Sequence, residues 1–385
     1  MRKTMAYPSI MIIGGDNTSD RFGAALAQKI MEKCPNATLF GVGGPMMSDA
    51  GVRLLYDISE MVSLGVFESI KGTQVVKRLI KRVIETMDEE RPDVVLQIGL
   101  PVFGFRLLEI AQCKSLPVVY YYTPLSRGLE NVKVGRFAGV VDKVASISLF
   151  ETTACQEAGI DVEFVGHPLM DLVEPAESKE AAREILELSQ SSSVISILPG
   201  AREVEVKNVL PTVLKSLCQV QKTEPDIEIV ISVAPTIRES SVEKIIDSCH
   251  CDNVKLRKDT YSVLGASDLA VTSIGTASLE ASLMGVPSIA VYRVPATTYF
   301  IDKLLDRKPY MTITNNILRE TVIPEYIQSD FGHARIADEV RRLLKDEEAR
   351  QAMLTQFKRL PHELGEAGSV ERAADLILEM AGCEQ

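Results

Sequence analysis

The sequence predicts an α/β chain of two Rossmann-like parallel-sheet domains facing a ligand cleft, and three observations carry that expectation. Short apolar runs alternate with stretches of helical spacing along the chain. The alternation occurs twice, in two halves separated by the polar, proline-bearing stretch Val173-Glu174-Pro175-Ala176-Glu177-Ser178. Glycine-bearing junctions stand where runs hand over to helices, the arrangement by which open α/β sheets hold ligands at the carboxyl ends of their strands.

Taken in order, the first half places strands at 10–13, 39–42, 94–98, 118–122 and 144–148, with helices around 23–33, 72–88, 104–113 and 150–158. The second places strands at 194–198, 227–233, 254–256, 269–272 and 288–291, again with helices between. A last helix over 370–380 follows Gly365–Gly368 and crosses back over the first domain or onto a partner chain of a homodimer. The expected domains are therefore 1–172, 173–364 and a carboxy-terminal helix, 365–385.

A chain of 385 residues exceeds what one core usually serves, and 46% hydrophobic with 25% charged residues is an ordinary soluble composition. The run Ile10 to Ile13 is too short for a signal segment or a membrane span, and no apolar stretch of 18 residues occurs, so the expected location is the cytoplasm. Seven scattered cysteines fit reduced thiols better than a disulfide framework. Cys249-His250-Cys251 lacks a second ligand pair, and no metal or other cofactor is indicated. A net charge of −11 argues against a nucleic-acid partner.

The most informative junction is Ser273-Ile274-Gly275-Thr276-Ala277-Ser278-Leu279-Glu280. A strand feeding a Gly-Thr turn that opens a helix presents free N–H groups and the positive end of the helix dipole, suited to a diphosphate. Thr276 and Glu280, four apart, share a helix face, which puts a carboxylate one turn beyond the phosphate and within reach of ribose hydroxyls. An ordinary strand-to-helix connection has the same outline. Pro199-Gly200-Ala201-Arg202-Glu203 follows another strand and places Arg202 for a bidentate hold on phosphate oxygens, unless it pairs with Glu203 or Glu205. With no Asp-x-Asp, neutralising a leaving diphosphate falls to Arg202 and the helix end at Thr276.

Near the amino terminus, Gly14-Gly15-Asp16-Asn17-Thr18-Ser19-Asp20 forms a further junction. Its two carboxylates suit sugar hydroxyls or acid–base work, although Asp20 could equally cap the helix. His167, in Gly166-His167-Pro168, is expected to look into the cleft or to be structural. The helix over 72–88 carries Val76, Leu79, Ile80, Val83 and Met87 on one face, with Lys77, Arg78, Lys81 and Arg82 beside them. Such a helix either rests on anionic headgroups or packs on the sheet; the two are compatible.

Together these stretches resemble the lipid-A-disaccharide synthase family. The resemblance rests on Gly41-Val42-Gly43-Gly44-Pro45-Met46-Met47, Met61 through Glu68, Arg91-Pro92-Asp93, Phe164-Val165-Gly166-His167-Pro168 and Leu198-Pro199-Gly200-Ala201-Arg202. It continues through Gly275 to Glu280, Asn315, Pro324-Glu325-Tyr326-Ile327-Gln328, and Gly368-Ser369-Val370-Glu371-Arg372-Ala373-Ala374. Each motif is weak alone; in this order and spacing they are specific.

The resemblance implies a GT-B fold, a UDP-2,3-diacylglucosamine donor, a lipid-like sugar acceptor and inversion at the anomeric carbon without metal. It also implies residence at the inner face of the cytoplasmic membrane, with Lys77, Arg78, Lys81 and Arg82 facing it. Carried over by position, Arg202, Gly275, Thr276 and Glu280 hold UDP, and Asn315, Glu325 and Gln328 complete the second-domain pocket.

The departures cluster in the first domain. In the family's Gly-Glu-x-Ser-Gly-Asp loop, Gly15 and Asp20 match, Asp16 replaces the Glu and Ser19 replaces the second Gly. The family's Ile-Asp-x-Pro-Asp-Phe-Asn run, whose first Asp is the presumed general base, reads Ile98-Gly99-Leu100-Pro101-Val102-Phe103-Gly104 here. The Ser-Pro-Ser-x-Trp-Ala-Trp stretch is Thr123-Pro124-Leu125-Ser126-Arg127-Gly128-Leu129, and the chain has no Trp. Asp16, Asp20 and His167 are the candidate replacement bases, with Glu68 and Glu130 behind them. Two other readings stay open: a UDP-sugar epimerase on the same fold, and a UDP-sugar-binding homologue without activity.

Overall fold

The structure is a computed structural model that describes residues 7–58, 70–99, 103–122, 137–249, 251, 253–293 and 310–383. Two compact units emerge, one formed by residues 1–171 with 362–385 and the other by 172–361. Each is built on its own parallel sheet.

The first sheet contains β1 (Ser9–Ile13), β2 (Thr38–Gly43), β3 (Arg53–Asp57), β4 (Val94–Ile98), β5 (Val118–Tyr121), β6 (Lys143–Ser146) and β7 (Val162–Phe164), ordered β3-β2-β1-β4-β5-β6-β7. The second contains β8 (Ser193–Leu198), β9 (Ile227–Ser232), β10 (Val254–Arg257), β11 (Leu269–Ser273), β12 (Ser288–Tyr292) and β13 (Glu325–Ile327), ordered β10-β9-β8-β11-β12-β13. The central strands read as unbroken apolar runs because helices cover both faces of each sheet. Strand β4, with every residue buried, is typical.

Strands β3, β7 and β13 are additions to the sequence reading. Each is the outermost strand on its side of the sheet, and their residues are mostly half-exposed. An edge strand buries too little of itself to leave an apolar run of the kind the interior strands leave.

In the first unit, Leu79, Val83 and Met87 of the helix Ile70–Glu90 and Leu107, Leu108 and Ala111 of the helix Gly104–Cys113 pack with Met11, Phe40, Val95 and Val118 of the sheet. The helix Asn17–Lys33 buries Phe22, Leu26, Ala27 and Ile30, and the last helix, Ser369–Met380, packs against it and against β4. That last helix therefore packs with the first unit. The return begins at 362 rather than 365, since the Leu364 carbonyl already accepts the His167 N–H at 2.8 Å. Asp171 fastens the helix start, accepting the Gly368 and Val370 N–H groups at 2.5 and 2.7 Å and the Ser369 hydroxyl at 2.9 Å.

One expectation is corrected. Cys218 and Cys251 form a disulfide with Cα atoms 5.5 Å apart, where the sequence reading expects reduced thiols throughout. The packing of the helices Glu203–Gln221 and Glu239–Cys249 brings the two together across 33 residues, a proximity that spacing alone does not encode. His250 of the Cys-His-Cys cluster lies outside the described residues.

Candidate functional site

In each sheet the chain order reverses at one place, between β1 and β4 in the first unit and between β8 and β11 in the second. Loops leaving such a switch point diverge and open a crevice at the strand carboxyl ends, the usual ligand site of doubly wound sheets. Parallel pairing of Thr272 with Leu198 sets the Gly200–Arg202 and Ile274–Thr276 loops side by side. The β1–β4 pairing does the same for the Gly15–Asp20 loop and Gly99.

In the second unit both loops at the switch point turn on a glycine. Gly200 has φ +118° and Gly275 φ +150°, backbone that side-chain-bearing residues rarely adopt. Among the described residues, an added Cβ at Gly275 would meet nothing within 4 Å. Arg202 is the residue before the helix Glu203–Gln221, and its Nε donates to Glu205 Oε1 at 2.8 Å. Of the two pairings open to Arg202, the structure makes the one with Glu205; Glu203 instead accepts from Arg238 and Ser241. Glu205 also accepts the Ala201 N–H at 3.2 Å, so this carboxylate occupies donors that a bound phosphate would use.

Thr276 opens the helix Thr276–Leu283, and Glu280 lies one turn on, 6% exposed. Its Oε1 accepts the Tyr261 hydroxyl at 3.0 Å. Tyr261, which the sequence reading passes over, stands at the start of the helix Thr260–Ala266, where Asp259 accepts the N–H groups of Tyr261 and Ser262. No spacing connects Tyr261 to Glu280; only the fold does.

Asn315 and Glu325 are spoken for by their own loop, which departs from the carried-over role. Asn315 Nδ2 donates to the Ile323 carbonyl and to Glu325 Oε1, both at 2.8 Å, while its Oδ1 accepts the Val322 and Ile323 N–H groups. Glu325 further accepts the Met311 and Thr312 N–H groups and the Thr312 hydroxyl. With the amide saturated and the carboxylate holding four groups, the pair shapes the Met311–Thr312 backbone. Gln328 follows β13 at φ +52°, its N–H donating to the Tyr292 carbonyl.

In the first unit the three candidate bases separate clearly. Asp20, 4% exposed, accepts the N–H groups of Gly44, Met46 and Met47 at 2.7, 3.1 and 3.0 Å. It caps the helix Pro45–Asp49, and both of its oxygens are engaged, so the catalytic assignment gives way to a structural one.

His167, 1% exposed, accepts the Leu169 N–H on Nδ1 at 3.1 Å, which places its own proton on Nε2. Nε2 has no hydrogen-bond partner, and the ring meets Phe22 and Tyr122 edge to face at 5.9 Å each. A buried imidazole whose only outward atom is a donor cannot take a proton as it stands. Burial pushes its pKa down to about 3.

That shift predicts a pH dependence. Above pH 6.5 the folded and unfolded chains both hold a neutral ring. Below it the unfolded chain takes up a proton that the folded chain refuses, so stability falls by about 1.4 kcal/mol per pH unit down to the folded-state pKa. Urea midpoints measured from pH 6.5 to 4.5 should decline in the wild type with this component and flatten in His167→Asn. Equal slopes in the two proteins would refute it.

Asp16 is different. It is exposed and caps the helix Asn17–Lys33 through Oδ1, which accepts the Ser19 N–H at 2.8 Å; among the described residues Oδ2 has no partner. The Ser19 hydroxyl accepts the Gly15 and Asp16 N–H groups and donates to the Asp16 carbonyl, filling the loop that bears Asp16. Across the switch point, an added Cβ at Gly99 would meet, among the described residues, only Tyr122 Cδ1 at 3.8 Å and Ser19 Cβ at 4.0 Å. The place left by the family's Asp thus borders the Asp16 loop.

Lys77, Arg78, Lys81 and Arg82 are all exposed on the helix Ile70–Glu90, whose Leu79 and Val83 are buried. Only Lys81 is paired among the described residues, with Glu85 at 3.7 Å. Glu68, Glu130 and all of the stretches 61–68, 100–102 and 123–129 lie outside the described residues. No described helix is long and apolar enough to cross a membrane.

Comparison with known proteins agrees with this architecture. Among solved structures, an S. aureus MnaA–UDP complex has a TM-score of 0.69 at 14% identity, covering 98% of both chains. Acinetobacter baumannii MurG has a TM-score of 0.56 at 15% identity, covering 97% of this chain and 99% of that one. At such identities the likeness is one of fold, and the fold is GT-B. A lipid-A-disaccharide synthase of Geobacter sulfurreducens is 32% identical over 373 residues, 97% of each chain, and one of Myxococcus xanthus is 31% identical over the same span. A family model described as lipid-A-disaccharide synthetase matches residues 10–378. The chain therefore belongs to the lipid-A-disaccharide synthetase family.

Proposed function

We propose that the chain is an inverting, UDP-sugar-dependent hexosyltransferase that moves an acylated glucosamine from its UDP donor to a lipid-like sugar acceptor. The observation that carries the reading is the β8–β11 switch point, where Arg202, the Gly275–Thr276 helix end and buried Glu280 stand on adjacent loops. Diphosphate oxygens go to Arg202 and the N–H groups at Thr276, ribose hydroxyls to Glu280. As the C1–O bond to the diphosphate breaks, negative charge grows on the leaving oxygen, and those fixed donors stabilise it. The acceptor hydroxyl attacks C1 from the opposite face and gives up its proton, for which Asp16 is the one candidate base with an unengaged oxygen among the described residues.

The exposed cations of the helix Ile70–Glu90 support docking of the first unit on an anionic membrane surface, where the acceptor would reside. Each basic group near such a surface contributes about 1 kcal/mol. Changing Lys77, Arg78, Lys81 and Arg82 together to Gln should lower co-sedimentation with phosphatidylglycerol vesicles at least about tenfold. Undiminished co-sedimentation would remove this surface from the proposal.

Turnover decides the main reading. Purified protein, UDP-2,3-diacylglucosamine and an acylated glucosamine 1-phosphate acceptor should yield UDP and a disaccharide. Conversion of UDP-N-acetylglucosamine alone to its C2 epimer would favour the epimerase reading. UDP binding without either reaction would favour an inactive homologue.

A further inference from the structure

We infer that Tyr261 is a positioning residue for the sugar-nucleotide site: its hydroxyl holds the Glu280 carboxylate in the orientation that accepts the ribose hydroxyls. The inference rests on the donor-site reading above and adds a residue to it.

Glu280 is 6% exposed, and a carboxylate so placed keeps one orientation only where donors reach it. The Tyr261 hydroxyl is one such donor, 3.0 Å from Oε1. Its backbone is tied down independently of any ligand. Asp259 accepts the Tyr261 and Ser262 N–H groups at 3.1 and 3.2 Å, and the neighbouring Thr260 hydroxyl meets the Ser232 hydroxyl at the end of β9 at 2.8 Å. A cavity of about 410 Å³ lies beside Tyr261, lined also by Pro175, Ala176, Ala181 and Ile185. The hydrogen bond from the Tyr261 hydroxyl to Oε1 couples the position of the phenol to that of the carboxylate.

The binding of UDP and of 2′,3′-dideoxy-UDP by calorimetry tests this in the wild type, Tyr261→Phe, Glu280→Gln and the double variant. Tyr261→Phe keeps the ring and removes only the hydroxyl. It should weaken UDP about tenfold, as expected for one lost hydrogen bond to a charged group. The dideoxy analogue, which has no ribose hydroxyls to place, should change less than about twofold, and adding Tyr261→Phe to Glu280→Gln should cost nothing further. Tyr261→Phe binding UDP like the wild type, while Glu280→Gln binds it weakly, would overturn the inference and spare the donor site. Equal losses for both nucleotides would overturn it too, showing a structural role for the tyrosine. Unchanged UDP affinity in Glu280→Gln would bring down the donor-site reading and the inference with it.

Discussion

Asp16→Asn should lower kcat by about 100- to 10,000-fold, the usual contribution of a positioned base, with UDP affinity unchanged. Asparagine is as good a helix cap as aspartate, and its amide oxygen can take the Ser19 N–H that Asp16 Oδ1 takes now, so the fold should survive the change. The loss should be repairable from across the switch point. Gly99 has φ +66°, a conformation that aspartate tolerates better than most residues, and among the described residues its Cβ would have only Tyr122 and Ser19 in van der Waals contact. Gly99→Asp added to Asp16→Asn should restore at least about tenfold of the lost rate, because a base on either loop serves the same crevice. Full activity in Asp16→Asn would dismiss this carboxylate as the base. A folded double variant with no recovery would place the reacting hydroxyl away from the Gly99 face.

Arg202→Ala should weaken UDP by about 100-fold, more than Glu280→Ala, for which roughly 10- to 100-fold is expected from lost hydrogen bonds to a charged group. The difference comes from Glu205. Its carboxylate is neutralised by Arg202 and also holds the Ala201 N–H. Removing the guanidinium therefore deletes a phosphate ligand and leaves an uncompensated negative charge in the phosphate's path. Raising the salt concentration should narrow the gap between Arg202→Ala and the wild type, since the guanidinium–diphosphate attraction is screened. Calorimetry on both variants checks this, and wild-type affinity in both would mean that UDP binds elsewhere.

What the sequence discloses divides along a physical line. Features that depend on neighbours along the chain are legible: the buried runs of the interior strands, the helices and the strand–Gly–helix junctions. The edge strands β3, β7 and β13 escape because half-exposed residues carry little apolar signal. Side-chain roles escape wherever the partner is remote. Asp20 has the right type and place for acid–base work, and only the Gly44–Met47 backbone, 24 to 27 residues away, shows that its lone pairs are taken. Asn315 and Glu325 lie 10 residues apart and look like ligand groups until their shared loop is seen. Tyr261 reaches Glu280 across 19 residues by tertiary packing alone. Asp16 stays available because it sits on the surface of its own cap.

The Asp171 clasp bears on how the chain is made. Residues 1–171 emerge from the ribosome long before the segment that covers the flank of the helix Asn17–Lys33, whereas 172–361 is continuous and can mature as soon as it is free. The amino-terminal half must therefore wait, with an apolar flank bare and a carboxylate facing no helix, until the helix Ser369–Met380 is translated. A message that stops short of Ser369 would yield a polypeptide whose middle is finished and whose beginning is still a substrate for chaperones and proteases.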